Sequence, residues 1–478
     1  MDRSRCPGCA GGAGRNQHGS TSMNILLIMA DQFAAHALTR PRPEHAHFST
    51  PNLDRLAASS TVFTEAYTPF PLCVPARSAM VTGKYPHQLG IMSNKLNEAG
   101  QGGGTPGPAE PGHGPESLGH WFTAAGYDCA YAGKWHALQA SATADDGFDP
   151  IHPFGDEGLV ESCHAWLGGR GKPSRPVPGG PAKERPFFLV ASFDDPHTIC
   201  EYARSQPMPY GPVPRVAAAD SPPLPPNFHK APYAPEAPGM EQLAAARLYG
   251  TAGYGPDEWR QYRQAYAALV ARLDQRIGQL LEGIDLAGTA VVFVSDHGDG
   301  DASHGWNQKT ALHQECIKVP FMVHVPGRPA GVVGEPVAAV LGLLPTLCQI
   351  AGIAAPDGLA TASALDGDGA PVVVQTSFQD ASALPGAGTS GRALIHGDWK
   401  YAVYSWGTHR EQLHNLAADP GEQRNLAVES SCAPDLEDMR ERLLDWALAS
   451  GDTGFLKRLV LPASAASGLH GEIFHVPY

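Results

Sequence analysis

The sequence has 478 residues, of which 42% are hydrophobic and 17% are charged, and its formal net charge is −14. This length exceeds that of one ordinary domain, so it predicts one large domain and a smaller one around a substantial hydrophobic core. The negative charge argues against a surface that holds nucleic acid or an acidic membrane, and an anionic substrate would need a locally basic pocket.

The N-terminal segment and the hydropathy of the chain indicate where in the cell the protein is located. No run of 18 or more apolar residues occurs, so no membrane span is expected. Residues 1–22 carry basic residues but no apolar stretch, so they do not resemble a secretory signal and are predicted to be a disordered leader. Nine scattered cysteines do not fit a small disulfide-stapled fold. The cytoplasm is therefore the expected location.

Four short apolar runs each end in polar residues capable of chemistry. They span residues 23–31, 126–136, 185–197 and 289–299. Each is typical of a buried strand of a parallel sheet, and such sheets bind ligands at the carboxyl ends of their strands. Helical patterns lie between the runs, so the sequence predicts an α/β fold with one active site at that edge.

The remaining segments predict a two-part organisation. Residues 23–370 form the predicted catalytic domain, with a Gly-rich surface loop at 97–116 and a Pro-rich insertion at 205–239. The insertion carries too much proline for regular structure, and its length suggests a lid or a substrate-facing segment. Residues 371–478 contain short strand-like runs and then a helix near 433–450, so they predict a small C-terminal subdomain.

The segment PLCVPARSAM places a cysteine at a predicted helix start. Pro75 suits the first turn of a helix that Gly83 ends. Cys73 would then lie just before the helix N-terminus, where free N–H groups lower the pKa of a thiol, and Arg77 would turn back toward it. The alternative is a small apolar cysteine packed in a loop.

Three residues at the ends of strands are of metal-binding types. Asp31, Asp296 and His297 end two of the apolar runs, and Gln32 follows the first. Their oxygen and imidazole ligands could surround one divalent cation beside Cys73. The alternative is an ordinary polar edge of the sheet.

The segment LCVPARSAMVTGKYPHQLGI (72–91) resembles the signature of the type I sulfatases, in which the cysteine of a Cys-x-Pro-x-Arg motif is converted to formylglycine. The resemblance covers nearly the whole chain after residue 23. It implies the alkaline phosphatase-like α/β fold, in which a large, mostly parallel sheet is sandwiched by helices and followed by a smaller C-terminal α+β subdomain. The other segments that carry it are, in order, 24–32, 50–68, 126–136, 187–197, 292–299, 319–327, 341–353 and 411–427.

The resemblance also implies a cofactor and a modification. Asp31, Asp296 and His297 would hold one divalent metal ion, and calcium is the first candidate. Gln32 stands where the family often has a second aspartate, and the missing charge makes manganese an alternative. Cys73 would be converted by a formylglycine-generating maturation enzyme and would bind the metal ion through one oxygen of its hydrate.

Roles for five further residues follow from the same resemblance. Arg77 would orient the formylglycine, and Lys134 would bridge it to the sulfate oxygens. His136 would be the base that expels sulfate, while His197 and Lys309 would stabilise or protonate the departing alcohol. Simpler interpretations stay open: Lys134 could be a turn lysine, and His197 could cap a turn.

The implied activity is hydrolysis of an organic sulfate ester, with the segment 194–204 suggesting a carbohydrate sulfate. One alternative is a phosphonate or phosphate ester hydrolase of the same superfamily, favoured by Ala76 and by the Asp-Gln and Asp-His pairs. A choline sulfatase shares those pairs. A binding protein without turnover is a third alternative, because the usual maturation motif has Ser or Thr at the position of Ala76. The expected partners are the sulfate ester and the maturation enzyme.

Overall fold

A computed structural model describes residues 23–38, 45–95, 117–138, 146–170, 185–214, 216–217, 220–367, 369–378 and 388–465. The predicted leader (1–22) and the predicted loop (97–116) lie outside the described residues. No helix among the described residues is long and apolar enough to cross a membrane.

The described strands form two sheets, one of eight strands and one of four. The larger sheet contains β1 (Asn24–Asp31), β2 (Thr61–Phe63), β3 (Asp128–Gly133), β4 (Asp149–His152), β5 (Phe187–Pro196), β6 (Thr289–Ser295), β7 (Phe321–His324) and β8 (Gly331–Val333). The smaller sheet contains β9 (Val372–Ser377), β10 (Ser390–His396), β11 (Trp399–Tyr404) and β12 (Glu411–Asn415).

Helices connect these strands. In chain order they are α1 (Pro51–Ala57), α2 (Cys73–Thr82), α3 (Pro86–Leu89), α4 (Leu118–Ala124), α5 (Leu159–Gly169), α6 (Ile199–Ala203), α7 (Glu236–Leu248), α8 (Pro256–Glu282), α9 (Gln314–Ile317), α10 (Leu343–Ala351), α11 (Ala433–Ser450) and α12 (Thr453–Leu456).

The larger sheet is mostly parallel, as the sequence predicts. Its strand order is β4-β3-β5-β1-β6-β7-β2-β8. The first five strands run in one direction, and only β7 is antiparallel to its neighbours. The four apolar runs are therefore adjacent strands, β3, β5, β1 and β6, whose carboxyl ends meet at one edge.

Both faces of the larger sheet are covered by helices. Alternate residues of β1 face opposite sides, so Leu26 packs in a core with α8, while Leu27 packs in a second core with α10. A strand that is buried on both faces has no polar alternation. This explains why the sequence of β1 is a continuous apolar run.

The smaller sheet is antiparallel, in the order β12-β11-β10-β9. One face packs against α11, and the other shares a core with Tyr67, Trp306 and Ile317 from the larger part of the chain. The predicted helix near 433–450 is α11. The α/β fold with a smaller C-terminal sheet is thus confirmed, and the exact boundary near residue 370 stays a prediction.

The Pro-rich insertion is partly helical, contrary to the sequence prediction. Helix α7 begins at Glu236, inside the stretch 205–239. Pro238 is tolerated there because the first helical turn leaves its N–H groups without intrahelical partners. Leu224 and Phe228 pack against the core of the larger sheet. Its role as a lid stays a prediction.

A buried ion pair ties β10 to the residue that precedes α12. Arg392 donates from Nε to Oδ2 of Asp452 at 2.6 Å and from Nη2 to Oδ1 at 3.1 Å. Both side chains are almost fully buried. The paired geometry satisfies a charge that would otherwise be isolated in the protein interior.

We expect Asp452→Asn to lower the free energy of unfolding by about 3–5 kcal/mol, because it leaves the Arg392 charge buried without a counter-charge. Urea unfolding followed by circular dichroism measures this. The control is Arg424→Ala, which breaks an exposed pair with Glu429 and should cost no more than about 1 kcal/mol. Equal losses of unfolding free energy in the two variants would contradict the stabilising role of the buried pair of Arg392 and Asp452.

Candidate active site

Helix α2 sets the position of Cys73. Leu72 is extended and Cys73 is the first helical residue, so the cysteine lies one position further into the helix than the sequence suggests. Gly83 ends the helix with a φ of 67°, as predicted. Cys73 is buried, and its sulfur faces the carboxyl ends of β1 and β6.

The Cys73 sulfur lies among cationic and imidazole groups. Its Sγ is 3.0 Å from Nζ of Lys309 and 3.2 Å from Nε2 of His297. Burial raises the pKa of the Cys73 thiol, but Lys309, His297 and Lys134 outweigh burial and hold it well below its usual range. The position therefore favours a negative charge.

Arg77 joins the helix to the strand ends. Its Nε donates to Oδ2 of Asp296 at 2.7 Å, and its Nη2 donates to Oδ2 of Asp31 at 3.0 Å. Its Nη1 donates to the carbonyl of Lys134 at 2.8 Å and to Oγ of Ser192 at 2.9 Å. Arg77 is completely buried, so it holds four structural elements in a fixed relation.

Two lysines reach the same site from different loops. Nζ of Lys134 lies 2.9 Å from Oδ2 of Asp31 and 3.1 Å from Oδ1 of Asp194. Nζ of Lys309 lies 3.1 Å from Oε1 of Gln32 as well as beside Cys73. Burial raises the pKa of Asp31, and Cys73 adds to that rise, yet Lys134, His197 and Arg77 bring it below its ordinary value.

His197 lies at the open side of the site. Its side chain is 22% exposed, its Nδ1 is 3.9 Å from Oδ1 of Asp194, and its Nε2 is 3.9 Å from Sγ of Cys200. No hydrogen bond from His197 to Cys73 occurs in the described part of the chain. The structure thus brings all ten predicted site residues to one place, and their individual roles stay predictions.

Comparison with known proteins identifies the family. The family model named Sulfatase matches residues 23–161 and 179–353, which is more than half of the chain. The chain belongs to the sulfatase family. It is therefore a sulfuric ester hydrolase, as its sequence predicts.

Several relatives resemble this sulfatase over most of its length. A Δ4,5-hexuronate-2-O-sulfatase of Bacteroides thetaiotaomicron is 28% identical and covers 84% of each chain. A choline-sulfatase of Rhizobium meliloti is 26% identical over 84% of this chain and 82% of that protein. A solved 2-O GAG sulfatase has a TM-score of 0.72 at 24% identity, covering 92% and 95% of the two chains. A phosphonate monoester hydrolase of Agrobacterium radiobacter has a TM-score of 0.66 at 20% identity, covering 90% and 96%, which shows the shared fold.

The sulfatase carries donors that fit a divalent cation. One ligand atom each from Asp31, Cys73, Asp296 and His297 lie within 4.8 Å of one another, all in buried side chains. Two carboxylates and an imidazole suit calcium, manganese and related ions. Buried carboxylates this close repel each other, so a cation between them fits the charge of the site.

The carboxylate of Asp299 orients the side-chain amide of Gln32. Nε2 of Gln32 donates to Oδ2 of Asp299 at 2.6 Å. Asp299 also accepts bonds from Oη of Tyr262 at 3.0 Å and from the N–H of Asp301 at 2.7 Å. Because all its partners are donors, Asp299 fixes the amide of Gln32 with Oε1 on the side of Lys309. Gln32 itself carries no charge, but Asp299, which bonds to its amide, supplies a carboxylate next to it.

Sequence reasoning missed Asp299 and Cys200 as members of the site. Asp299 follows Asp296 by three residues in SDHGD, and this spacing was the available signal. Cys200 follows His197 by three residues, and its Sγ lies 3.0 Å from Oε1 of Gln308. No motif pointed to Cys200, because a buried cysteine is most often a packing residue.

We expect Asp299→Asn to weaken binding of a divalent cation roughly 10- to 100-fold, because the new amide places a donor against the donors that now face the carboxylate and lets Gln32 rotate. Isothermal titration calorimetry of the metal-free protein measures this. Tyr262→Phe is the matched control: it removes one donor but keeps the carboxylate, so it should have a smaller effect. Unchanged affinity in Asp299→Asn, with native circular dichroism, would contradict this role of Asp299.

Proposed function

We propose that this sulfatase hydrolyses the sulfate ester of a carbohydrate through a formylglycine at position 73, with a divalent metal ion held by Asp31, Gln32, Asp296 and His297. The observation that carries the proposal is the position of Cys73, which is the first residue of α2 and lies against Lys309 and His297. Helix N-termini and lysines favour an anionic group such as sulfate at this position.

The modification and the ion would supply the chemistry that a thiol lacks. Hydrated formylglycine would offer one hydroxyl for attack on sulfur and a second for breaking the resulting bond, and the cation would lower the pKa of a hydroxyl bound to it. Calcium is the first candidate because oxygen donors predominate, and manganese is the second because Gln32 is neutral and His297 supplies nitrogen.

The side chains of the protein would position the sulfate and stabilise its charge. Lys134 and Lys309 lie on the two sides of the site and would neutralise charge on the sulfate oxygens and the leaving oxygen. Arg77 donates to both carboxylates, so it would hold the ligands of the cation in place. Both lysines are buried, and Coulomb interactions there are stronger than in water.

Two histidines would move protons. His136 lies close enough to residue 73 to lower the pKa of its thiol, and its Nδ1 has no hydrogen-bond partner among the described residues, so it would take a proton from that side chain when sulfate leaves. His197 is partly exposed and makes no hydrogen bond to Cys73 among the described residues, so it would lie on the side where the alcohol departs. It would donate a proton to the alkoxide.

A carbohydrate substrate is supported by the relatives and by one surface feature. One relative is named a Δ4,5-hexuronate-2-O-sulfatase and another an ulvan-active sulfatase. In this sulfatase the ring of Phe154 is 62% exposed and its centroid lies 5.5 Å from Nζ of Lys134. An exposed aromatic ring beside the lysine offers an apolar surface to the C–H face of a sugar. Choline sulfate and phosphonate esters are the alternatives that the experiment must separate.

The test compares kcat/KM on a 2-O-sulfated unsaturated uronic acid, choline sulfate and a phenylphosphonate monoester, using protein co-expressed with a formylglycine-generating enzyme. We expect the carbohydrate sulfate to have the highest value. Cys73→Ala should abolish turnover, whereas Cys348→Ala, which changes a buried cysteine of α10, should not. Higher kcat/KM on choline sulfate or on the phosphonate would overturn the proposed substrate class.

The role of His197 predicts a dependence on the leaving group. His197→Ala should lower kcat on a sugar sulfate by about 10²- to 10⁴-fold, because an alkoxide needs a proton to depart. On 4-nitrophenyl sulfate the loss should be much smaller, because that phenolate leaves without protonation. His409→Ala, at an exposed histidine, is the control. Equal losses on both substrates would show that His197 is not the acid.

A further inference from the structure

A second group of metal-ligating side chains lies outside the Cys73 site. It consists of His304, His313 and Glu422, which we call the histidine cluster. One ligand atom from each of the three residues lies within 4.8 Å of the others. His304 and His313 come from the loop between β6 and α9, whereas Glu422 follows β12 of the smaller sheet. The histidine cluster therefore joins the two parts of the fold.

The two imidazoles are arranged as neutral ligands. Their ring centroids are 4.0 Å apart and the ring planes differ by 15°, so the rings are stacked. Two imidazolium ions would repel each other at this distance. Burial, and then His304, lower the pKa of His313 well below its ordinary value. The neutral imidazole is the form that binds metal ions.

Glu422 supplies a negative charge. Its Oε1 accepts a bond from Nζ of Lys400 at 2.5 Å, and its Oε2 accepts the N–H of Gln314 at 2.8 Å. Each carboxylate oxygen has a second lone pair, so both bonds can persist when an ion binds. Lys400 opposes binding through its charge, but it also favours the ionised form of Glu422. Burial raises the pKa of Glu422, whereas Lys400, followed by smaller contributions from nearby histidines, lowers it to about 2.

Buried polar atoms without partners surround the histidine cluster. His414 is almost fully buried, and neither of its ring nitrogens has a hydrogen-bond partner in the described part of the chain. The nearest carboxylate oxygen, on Asp419, is 3.9 Å from its Nδ1. Within the residues that the structure describes, Oε2 of Glu315 also has no partner. Its Oε1 accepts from Nδ2 of Asn227, which lies 3.4 Å from Nε2 of His304. Buried groups of this kind are costly unless water or an ion satisfies them.

The backbone at two of the ligands is unusual. His304 has a φ of 55° and Glu422 a φ of 54°, a region that residues other than glycine rarely adopt. Such conformations persist where the surroundings require them, and they concentrate at binding and catalytic sites. Here they place one imidazole and one carboxylate against His313.

We infer that His304, His313 and Glu422 form a second metal site, separate from the Cys73 site, which takes a transition-metal ion of the zinc class. Two imidazoles and one carboxylate are a common zinc ligand set with a fourth position open to water or another side chain. Zinc-class ions prefer imidazole more than calcium does, so the two sites would select different ions.

The location gives the proposed ion a structural role. Lys309, which contacts Cys73, lies in the chain between His304 and His313. An ion bound to both histidines and to Glu422 would fasten the loop that presents Lys309 to the smaller sheet. Metal sites of this kind stabilise the folded state by binding it in preference to the unfolded chain.

The experiment titrates the full-length protein with Co²⁺ after chelation and saturation with Ca²⁺, which occupies the oxygen-rich site at Cys73. We expect one Co²⁺ per chain, with the strong visible absorption of a four-coordinate ion bound by nitrogen, displaced by one equivalent of Zn²⁺. The same titration of Cys73→Ala should be unchanged. Loss of the signal in that variant would place the ion at the Cys73 site and overturn the inference.

Variants of the histidine cluster complete the test. His304→Gln and His313→Gln should each weaken Co²⁺ binding by at least about tenfold, while the exposed His229→Gln control should bind as the wild type does. The melting temperature in chelator identifies any variant that fails to fold, and the variant that does fold then carries the comparison. Absence of a second bound ion, or equal affinity in the folded variants, would overturn the inference.

Discussion

The active site depends on one buried guanidinium. Arg77 donates to Asp31, Asp296 and Ser192 and to a backbone carbonyl, and none of its side chain is exposed. A buried charge that loses its partners costs several kcal/mol, roughly 3–5. The two carboxylates and the strand ends that carry them must therefore keep their positions around Arg77. Because Arg77 lies one turn from Cys73, the same contacts fix residue 73 above the edge of the sheet.

This constraint explains why charges accumulate where solvent is excluded. The carboxylates that Arg77 holds attract Lys134 on one side and suit a divalent cation on the other, and Lys309 approaches from a separate loop. Lys134, Lys309 and the divalent cation would each stabilise charge that forms on a sulfate ester, and none of them needs to move far to do so. Preorganisation of this kind requires that loops be held rigidly. Asp299 provides this support for Gln32, and the histidine cluster is placed to do so for Lys309.

Much of this site could be predicted from the sequence because its parts have local signals. A run such as NILLIMAD indicates both a strand and the residue that ends it, and the Pro75 to Gly83 spacing indicates the helix that bears Cys73. Contacts between distant segments have no such signal. The hydrogen bond from Gln32 to Asp299 depends on the rotamer of the Gln32 amide. Glu422 lies near His304 only because the smaller sheet packs against the loop between β6 and α9. The helix at Glu236 was missed because proline at a first turn and proline in a loop look alike.

The most direct test of the account is the mass of the peptide that contains residue 73, measured in the same preparation whose active fraction is titrated. We expect this peptide to have the mass of formylglycine at position 73. In preparations made with and without the maturation enzyme, the active fraction of the protein should equal the fraction in which Cys73 is converted. Ala76, buried in α2 within the Cys-x-Pro-x-Arg motif, would then be compatible with conversion. Full turnover by protein in which residue 73 is entirely cysteine would contradict the account.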